Sequence, residues 1–516
     1  MRALGRTGLF SPMRPVDYVR MAALARKWGT SPAAGVSIAA LRAPEFPALA
    51  DEGGCLSWRQ LDDASTAVAC ALRSEGVGRQ TTIGVLCRNH RGFAEAVLAA
   101  SKLGADVVLL NTEFAPEQLG EVLEREDVSA ALFDGEFAAA LDDAGYDRAR
   151  FDATAIDEMA SRTHGQALAP PASTGRIVIL TSGTTGTPKG AQRGSIGAPL
   201  EVVTGAFSRL PMRAREPVVV GPPLFHGLGF GFFGFSLLLQ GTLVVRRRFD
   251  PEAVLADVER HRATTLVAVP VMLQRILDVP ERTRRDHDTS SLRMIVCSGS
   301  ALSAELSTDV MDAFGDILFN FYGSTETGWA ALADPADLRA APGTVGRPPD
   351  GTVVSLRDDD GRPVARGETG RIFVGSEMVF EGYTGGGGKD VVDGLTSTGD
   401  VGHFDDDGRL FVEGRDDDMI VSGGENVFPA EVQELLQAHE GVADAAVVGV
   451  DDDEMGQRLA AFVVPASTGD LSAEEVKEHV RSHLARYKVP RDVEFVEEIP
   501  RTPTGKVVRG DLQPQN

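Results

Sequence analysis

The sequence predicts an α/β protein, with a large N-terminal domain that carries a β-rich subdomain and a small α+β domain at the C-terminal end. Three observations predict it. The 516 residues exceed what one hydrophobic core supports. Helical patterns alternate with short apolar runs through the first part of the chain, the rhythm of α/β units. After Gly343 that rhythm gives way to short alternating strands, and after Asp418 to a mixed pattern of helices and strands.

The elements follow in order. Between Leu56 and Ala131 the apolar runs are Ile83-Gly84-Val85-Leu86 and Val107-Val108-Leu109-Leu110. They recur at Ile177–Leu180, Thr265–Val269 and Met294–Cys297, each leading into a turn-rich or Gly-rich stretch. Sites in such folds sit at the ends of these strands. The β-rich stretch contains Gly370–Val374 and Gly408–Val412, separated by Gly pairs and acidic turns. Beyond it, helices near Ala430–Glu440 and Ala473–Ala485 flank a strand at Ala445–Val450, a unit of roughly a hundred residues.

Composition excludes several classes. With 43% hydrophobic and 24% charged residues the chain is neither disordered nor fibrous. Its 75 acidic against 51 basic residues give a net charge of −24, which repels nucleic acid, and no basic cluster offsets it. The one basic stretch, with Arg2, Arg6, Arg14, Arg20, Arg26 and Lys27, reads as a solvated leader, because its apolar periodicity is weak for the alternative, a peripheral membrane contact. Four cysteines, Cys55, Cys70, Cys87 and Cys297, form no CxxC pair and read as reduced buried thiols of a cytoplasmic protein. No signal-peptide pattern opens the chain. Val218–Val245 has no Asp, Glu, Lys or Arg and is long enough to span a bilayer, yet its prolines, six glycines and His226 argue for a buried segment lining an apolar pocket.

The strongest chemical signal follows the strand ending at Leu180: Thr181-Ser182-Gly183-Thr184-Thr185-Gly186-Thr187-Pro188-Lys189-Gly190. Small hydroxyl and glycine residues let backbone N–H groups approach phosphate oxygens, and Lys189 adds a charge. It is not a Walker A loop, which has Gly directly before the Lys where this chain has Pro188. The stretch resembles the phosphate-binding signature of the adenylate-forming superfamily, which includes acyl-CoA synthetases, luciferase-like enzymes and peptide-synthetase adenylation domains. Further motifs resembling that family appear in the expected order between Ser57 and Arg509.

The resemblance implies two stacked α/β subdomains and a β-rich subdomain over residues 1–416, a mobile lid over 417–516, and a hinge at Asp417. It also implies site roles. In Tyr322-Gly323-Ser324-Thr325-Glu326, Tyr322 would stack on adenine, Thr325 would bond the α-phosphate and Glu326 would hold Mg2+, a hard cation suited to a carboxylate. Ser298-Gly299-Ser300 resembles the turn edging the adenine. Asp400 would grip the ribose hydroxyls of ATP, with Arg415 fifteen residues on. Ser422, Gly423, Gly424 and Glu425 resemble the lid loop lining the path of coenzyme A. Lys506 in Pro500–Val507 matches the lysine delivered to the reacting carboxylate and α-phosphate, so Lys506, Glu326, Thr185 and Lys189 are the expected catalytic groups.

His226, Gly227, Gly299 and Gly323 are the expected acyl-pocket residues, although His226 also fits a packed core histidine. The Gly-rich and Phe-rich run from Gly227 to Phe235 suggests an apolar tunnel and so a medium- or long-chain fatty acid, with an aryl or alicyclic acid as the alternative. A ligase loading a separate carrier protein, and a non-catalytic nucleotide- or acyl-binding homologue, are the competing functions. Degenerate homologues would lack Glu326, Asp400, Arg415 or Lys506, and this chain has all four. One departure from the family is the Gly-rich Tyr383–Leu395 stretch, which reads as a flexible loop at Gly385–Gly388. Gly229–Gly234 formally matches GxGxxG but lacks a strand-before, helix-after setting. Asp405–Gly408 imitates a calcium loop with His403 at the first ligand position. Oligomeric state is not legible.

Overall fold

The apolar runs become strands in the computed structural model, which describes residues 5, 7–9, 13–163, 165–180, 189–193, 205, 208–380, 382–384, 386–416, 420–422, 425–452, 456–466, 471–484, 488–502 and 505–512. Most are buried along their length, which is why they read as unbroken hydrophobic stretches. One seven-stranded sheet runs Gly382–Tyr383, Gly190–Arg193, Ile177–Leu180, Asp106–Leu109, Thr82–Leu86, Ala130–Phe133, Ala149–Asp152. Its interior is parallel, and Gly190–Arg193 closes back antiparallel on Ile177–Leu180 so that Gly190 pairs with Leu180. A second sheet of eight strands centres on Thr265–Ala268, flanked by Val218–Val220 and Met294–Cys297.

A third, antiparallel sheet holds Val353–Arg357, Gly370–Gly375, Leu395–Phe404 and Leu410–Arg415. It is the β-rich subdomain expected after Gly343. The small C-terminal domain packs two helices on a five-stranded sheet around Val432, Leu436, Val447, Ala461, Val476 and Val480. Its long strand spans Val442–Asp452 and its helices Pro429–Gln437 and Ala473–His483. The elements were therefore located correctly, and their ends shift by a few residues.

The N-terminal stretch departs from expectation. It is not a solvated leader throughout: α1 (Pro15–Trp28) and α2 (Pro32–Arg42) are regular helices. Ser31 caps α2, accepting the Ala34 N–H at 3.4 Å. Small residues explain why α2 is buried: Ala33, Ala34, Val36 and Ala39 face the core, and a Cβ on Gly35 would lie 3.2 Å from Leu237.

The uncharged Val218–Val245 segment divides into strand Val218–Val220, helix α3 (Gly227–Leu239) and strand Leu243–Val245. Gly229–Gly234 thus lies inside a helix with a strand before it. The strand-before setting is present, but the glycines do not form the phosphate-binding turn that would open that helix. No helix among the described residues is long and apolar enough to cross a membrane. In Asp405–Gly408 the acids bond Arg409, which ties Asp405 at 2.7 Å, so the calcium-like turn is satisfied by a side chain.

Cys70, Cys87 and Cys297 are buried and free, whereas Cys55 is exposed. The fold also gathers Cys87, His90 and Asp134, a grouping the sequence reading did not foresee. His90 Nε2 lies 2.6 Å from Asp134, its Nδ1 accepts the Gly92 N–H at 3.0 Å, and Arg247 meets the same carboxylate at 2.8 Å. Both imidazole nitrogens are engaged and a guanidinium supplies the charge, so the cluster is a structural clasp between the sheets.

Candidate active site

Strand register creates the first part of the site. Asp400 on Leu395–Phe404 pairs directly with Arg415 on Leu410–Arg415, so fifteen residues of sequence separation become a cross-strand neighbour pair. Arg415 Nη1 donates to Asp400 Oδ1 at 3.4 Å, and the Tyr322 hydroxyl donates to Oδ2 at 2.6 Å. Burial pushes the Asp400 carboxyl above its usual range, against the pull of Tyr322 and Arg415. Burial and the adjacent carboxylate push the Tyr322 phenol well up, keeping it a donor.

Tyr322–Glu326 runs from the end of strand Leu318–Ser324 into the turn that leads to its antiparallel partner Gly328–Ala333. A Cβ on Gly323 would sit 2.0 Å from the Gly328 carbonyl oxygen, so only glycine fits. Ser324 Oγ accepts the N–H groups of Glu326 and Thr327, each at 3.2 Å, which turns the Glu326 side chain toward the cleft it lines with Thr325. Glu326 Oε1 accepts the Tyr383 hydroxyl at 2.9 Å. Lys189 Nζ stands 5.2 Å from the centre of the same Tyr383 ring.

Lys506 arrives from the C-terminal domain on a tight turn. Its N–H donates to Thr502 Oγ1 at 3.1 Å and its carbonyl accepts the Thr502 N–H at 2.7 Å. Arg501 braces that turn, bonding the Gly505 carbonyl at 2.9 Å and Asp444 at 2.7 Å. Gly505 has φ +81°, and a Cβ there would lie 2.8 Å from Val271 Cγ1 of the large domain. The turn is thereby seated on the cleft edge beside Ser300. Burial and the Arg415 charge lower the pKa of the Lys506 ammonium, and Glu326 and Asp400 act in the opposite sense.

His226 stands at the N-terminus of α3, with Nε2 buried and without a hydrogen-bond partner among the described residues. Burial, aided by the Lys506 charge, pushes its pKa down to about 3, so the ring is neutral at physiological pH. Along α3, Gly227, Gly231 and Gly234 recur at helical spacing, and a Cβ at each would meet nothing within 4 Å among the described residues. Gly229 differs, since its Cβ would strike the Pro223 carbonyl oxygen at 2.3 Å. Three glycines thus keep a channel open and one permits close packing. Aromatic rings meet beside it: Trp329 lies 5.5 Å edge-on from Phe321 and 5.7 Å, tilted, from Phe235 of α3 itself.

Trp329 and the ionisable groups above line one cleft of about 2840 Å³, together with Ser298, Gly299 and Ser300. Ser298 Oγ donates to the Phe321 carbonyl at 2.8 Å, which fixes that edge. The sequence-derived set Lys189, His226, Gly227, Tyr322, Gly323, Ser324, Thr325, Glu326, Asp400, Arg415 and Lys506 is therefore brought together. Thr181, Ser182, Gly183, Thr184, Thr185 and Gly186 lie outside the described residues, as do Asp417, Gly423 and Gly424. Ser422 and Glu425 pair across a short antiparallel connection. Sequence reasoning missed Tyr383, Trp329, Phe321, Arg501 and Asp444. Arg501 lies within the Pro500–Val507 motif and could have been found there. Tyr383 opens the Gly-rich stretch that departs from the family pattern, and nothing local signals its contact with Glu326.

Comparison with known proteins follows the same division. Residues 36–384 match the family model described as AMP-binding enzyme, and residues 431–506 match the AMP-binding enzyme C-terminal domain. The chain is 33% identical over 476 residues to a feruloyl-CoA synthase of Amycolatopsis sp, covering 91% of this chain and 96% of that one. It is 30% identical over 474 residues to the long-chain-fatty-acid–CoA ligase FadD13 of Mycobacterium tuberculosis, covering 89% and 93%. Among solved structures, o-succinylbenzoate CoA synthetase of Bacillus subtilis in complex with its acyl-adenylate superposes with a TM-score of 0.84 at 27% identity, covering 93% of this chain and 98% of that one. The same enzyme has been solved with ATP and a magnesium ion.

Proposed function

The chain belongs to the AMP-binding enzyme family and is an acid–thiol ligase, and from that premise we propose that it activates a medium- or long-chain fatty acid as acyl-AMP and passes it to coenzyme A. The observation that carries the acid assignment is the glycine face of α3. From Gly227 to Leu238, both on the cleft wall, the helix rises about 16 Å, room for an extended alkyl chain with its carboxylate near Lys506. A second reading, an aryl or alicyclic acid, is favoured by the Trp329, Phe321 and Phe235 rings that line the same cleft.

The chemical difficulty is that a carboxylate attacks an α-phosphate that is already negative. Lys506, Lys189 and Arg415 offset that repulsion and align the reactants. A carboxylate oxygen bonds the α-phosphorus as the bond to the pyrophosphate oxygen breaks. Glu326 suits a magnesium ion: it is a carboxylate facing the cleft, oriented by Tyr383. Magnesium, when bound, supplies further neutralisation of phosphate charge. In the second half-reaction the coenzyme A sulfur bonds the acyl carbon and AMP leaves. We assign the domain boundary to residue 417 and the pivot to Asp417, so that rotation withdraws Lys506 and presents the Ser422–Glu425 loop.

Pyrophosphate release measured over saturated acids of increasing length and over cinnamate-type acids, with and without coenzyme A, tests the reading. Rates that rise with alkyl length support it. A preference for aryl acids selects the second reading, and adenylation without thioester under any condition moves the acceptor to a carrier protein.

A further inference from the structure

Helix α1 is apolar on two faces, only one of which the fold covers. Trp28 is buried and Asp17, Met21 and Leu24 face inward, while Pro15, Val16, Val19, Ala22, Ala23 and Arg26 are exposed. Those six positions recur at helical spacing and form one outward stripe. Val16 is 49% exposed and Val19 70% exposed, and neighbouring Tyr18 is 48% exposed. Seven large hydrophobic side chains are exposed among the described residues, and these are three of them. Such a cluster is not the scatter of single apolar residues found on any surface.

The charge around the stripe has one sign. Arg14, Arg20, Arg26 and Lys27 belong to α1 or its first flank, and the single acid, Asp17, is already engaged by Arg14 at 3.2 Å and Arg20 at 3.5 Å. In a chain of net charge −24 this is a local reversal. An apolar stripe edged by long cationic side chains, whose stems lie along apolar surface while their heads reach water, matches an anionic lipid interface. A second feature places the helix at a useful position. Ala25 and Gly29 line the same cleft as α3, whose far end carries Leu238, 38% exposed.

We propose that α1 docks this protein on anionic membrane surfaces, with the distal end of the acyl channel turned toward the bilayer. Docking rests on α1 alone, and its use for taking up an apolar acid rests on the fatty-acid reading above. The full chain is expected to sediment with vesicles of phosphatidylcholine and phosphatidylglycerol, and to bind phosphatidylcholine vesicles far more weakly. Each basic residue at the surface is worth roughly fivefold in partitioning, and raised salt weakens the interaction. A Val19→Ser/Arg26→Glu variant is expected to lose at least that factor, while keeping wild-type pyrophosphate release on a short soluble acid. Vesicle binding that is absent, or unchanged in the variant, overturns the proposal. A Val19-dependent dimer in light scattering, without vesicle binding, overturns it in favour of a second copy of the chain. If vesicle binding holds but no fatty acid supports pyrophosphate release, docking stands and the fatty-acid reading fails.

Discussion

At the residue scale the site is a set of charges whose protonation is governed by burial. Lys506 is lowered by burial and Arg415 but stabilised as a cation by Glu326 and Asp400, so its positive charge is balanced once a carboxylate and phosphates enter. Lys506→Ala should reduce acyl-AMP formation by about two to three orders of magnitude and leave thioester formation from supplied acyl-AMP largely intact. Pyrophosphate release and single-turnover thiolysis measure the two halves separately, and a normal first half would refute the role given to Lys506. His226 carries a pH prediction. Its folded pKa of about 3 lies below the ordinary value of 6.5, so the unfolded chain binds the proton more readily between them. That stability is present above pH 6.5 and is lost as pH falls toward 3. His226→Gln should flatten the decline by about 2 kcal/mol between pH 6.5 and about pH 5, read from denaturant midpoints of the two proteins.

At the element scale α3 and the Lys506 turn make separate demands. The glycines of α3 lower its helix propensity, and the helix is held by burial of Phe230, Phe232, Phe233 and Phe235. Gly231→Leu should fold, since a Cβ there meets open space, and should cut kcat/KM for long acids by about tenfold or more with little change for short ones. Gly229→Ala should do the reverse, costing about 1–3 kcal/mol through overpacking against Pro223 at unchanged chain-length preference. The turn holding Lys506 depends on Arg501, which binds Asp444 and Gly505. Arg501→Ala is expected to lower kcat of adenylation by up to about a hundredfold with little effect on the KM for ATP. A matching loss in Asp444→Asn would place both residues in one brace.

At the scale of the whole molecule, three sheets and a separate C-terminal domain meet around one cleft. Lys506 reaches Glu326 and Asp400 only because the two domains are apposed, and Gly505 against Val271 marks the seat of that contact. In the proposed rotation about residue 417 the same seat is released for the second half-reaction. Asp417→Pro, which restricts the backbone at the proposed pivot, should preserve pyrophosphate release and suppress thioester formation. Equal loss of both activities would mean that residue 417 does not serve as a pivot.

The sequence by itself determined the α/β class, the order of the elements and most of the chemical groups. Buried strands require unbroken apolar runs, and phosphate and sugar chemistry requires Gly, hydroxyl, Asp and Lys residues in short motifs that no fold has to assemble before they are recognised. Asp400 and Arg415 were legible in that way, and so was Lys506. Tyr383, Trp329 and the Arg501–Asp444 brace were not, because each acts through a partner distant in sequence and carries no local pattern. The helical N-terminus was not legible either, since α1 turns Met21, Leu24 and Trp28 inward and leaves Val16, Tyr18 and Val19 outward, so that its apolar residues mark no single face. Only the tertiary structure decided that Gly227, Gly231 and Gly234 open a channel while Gly229 closes a contact: the residue type is the same, and the space beside it belongs to the neighbours.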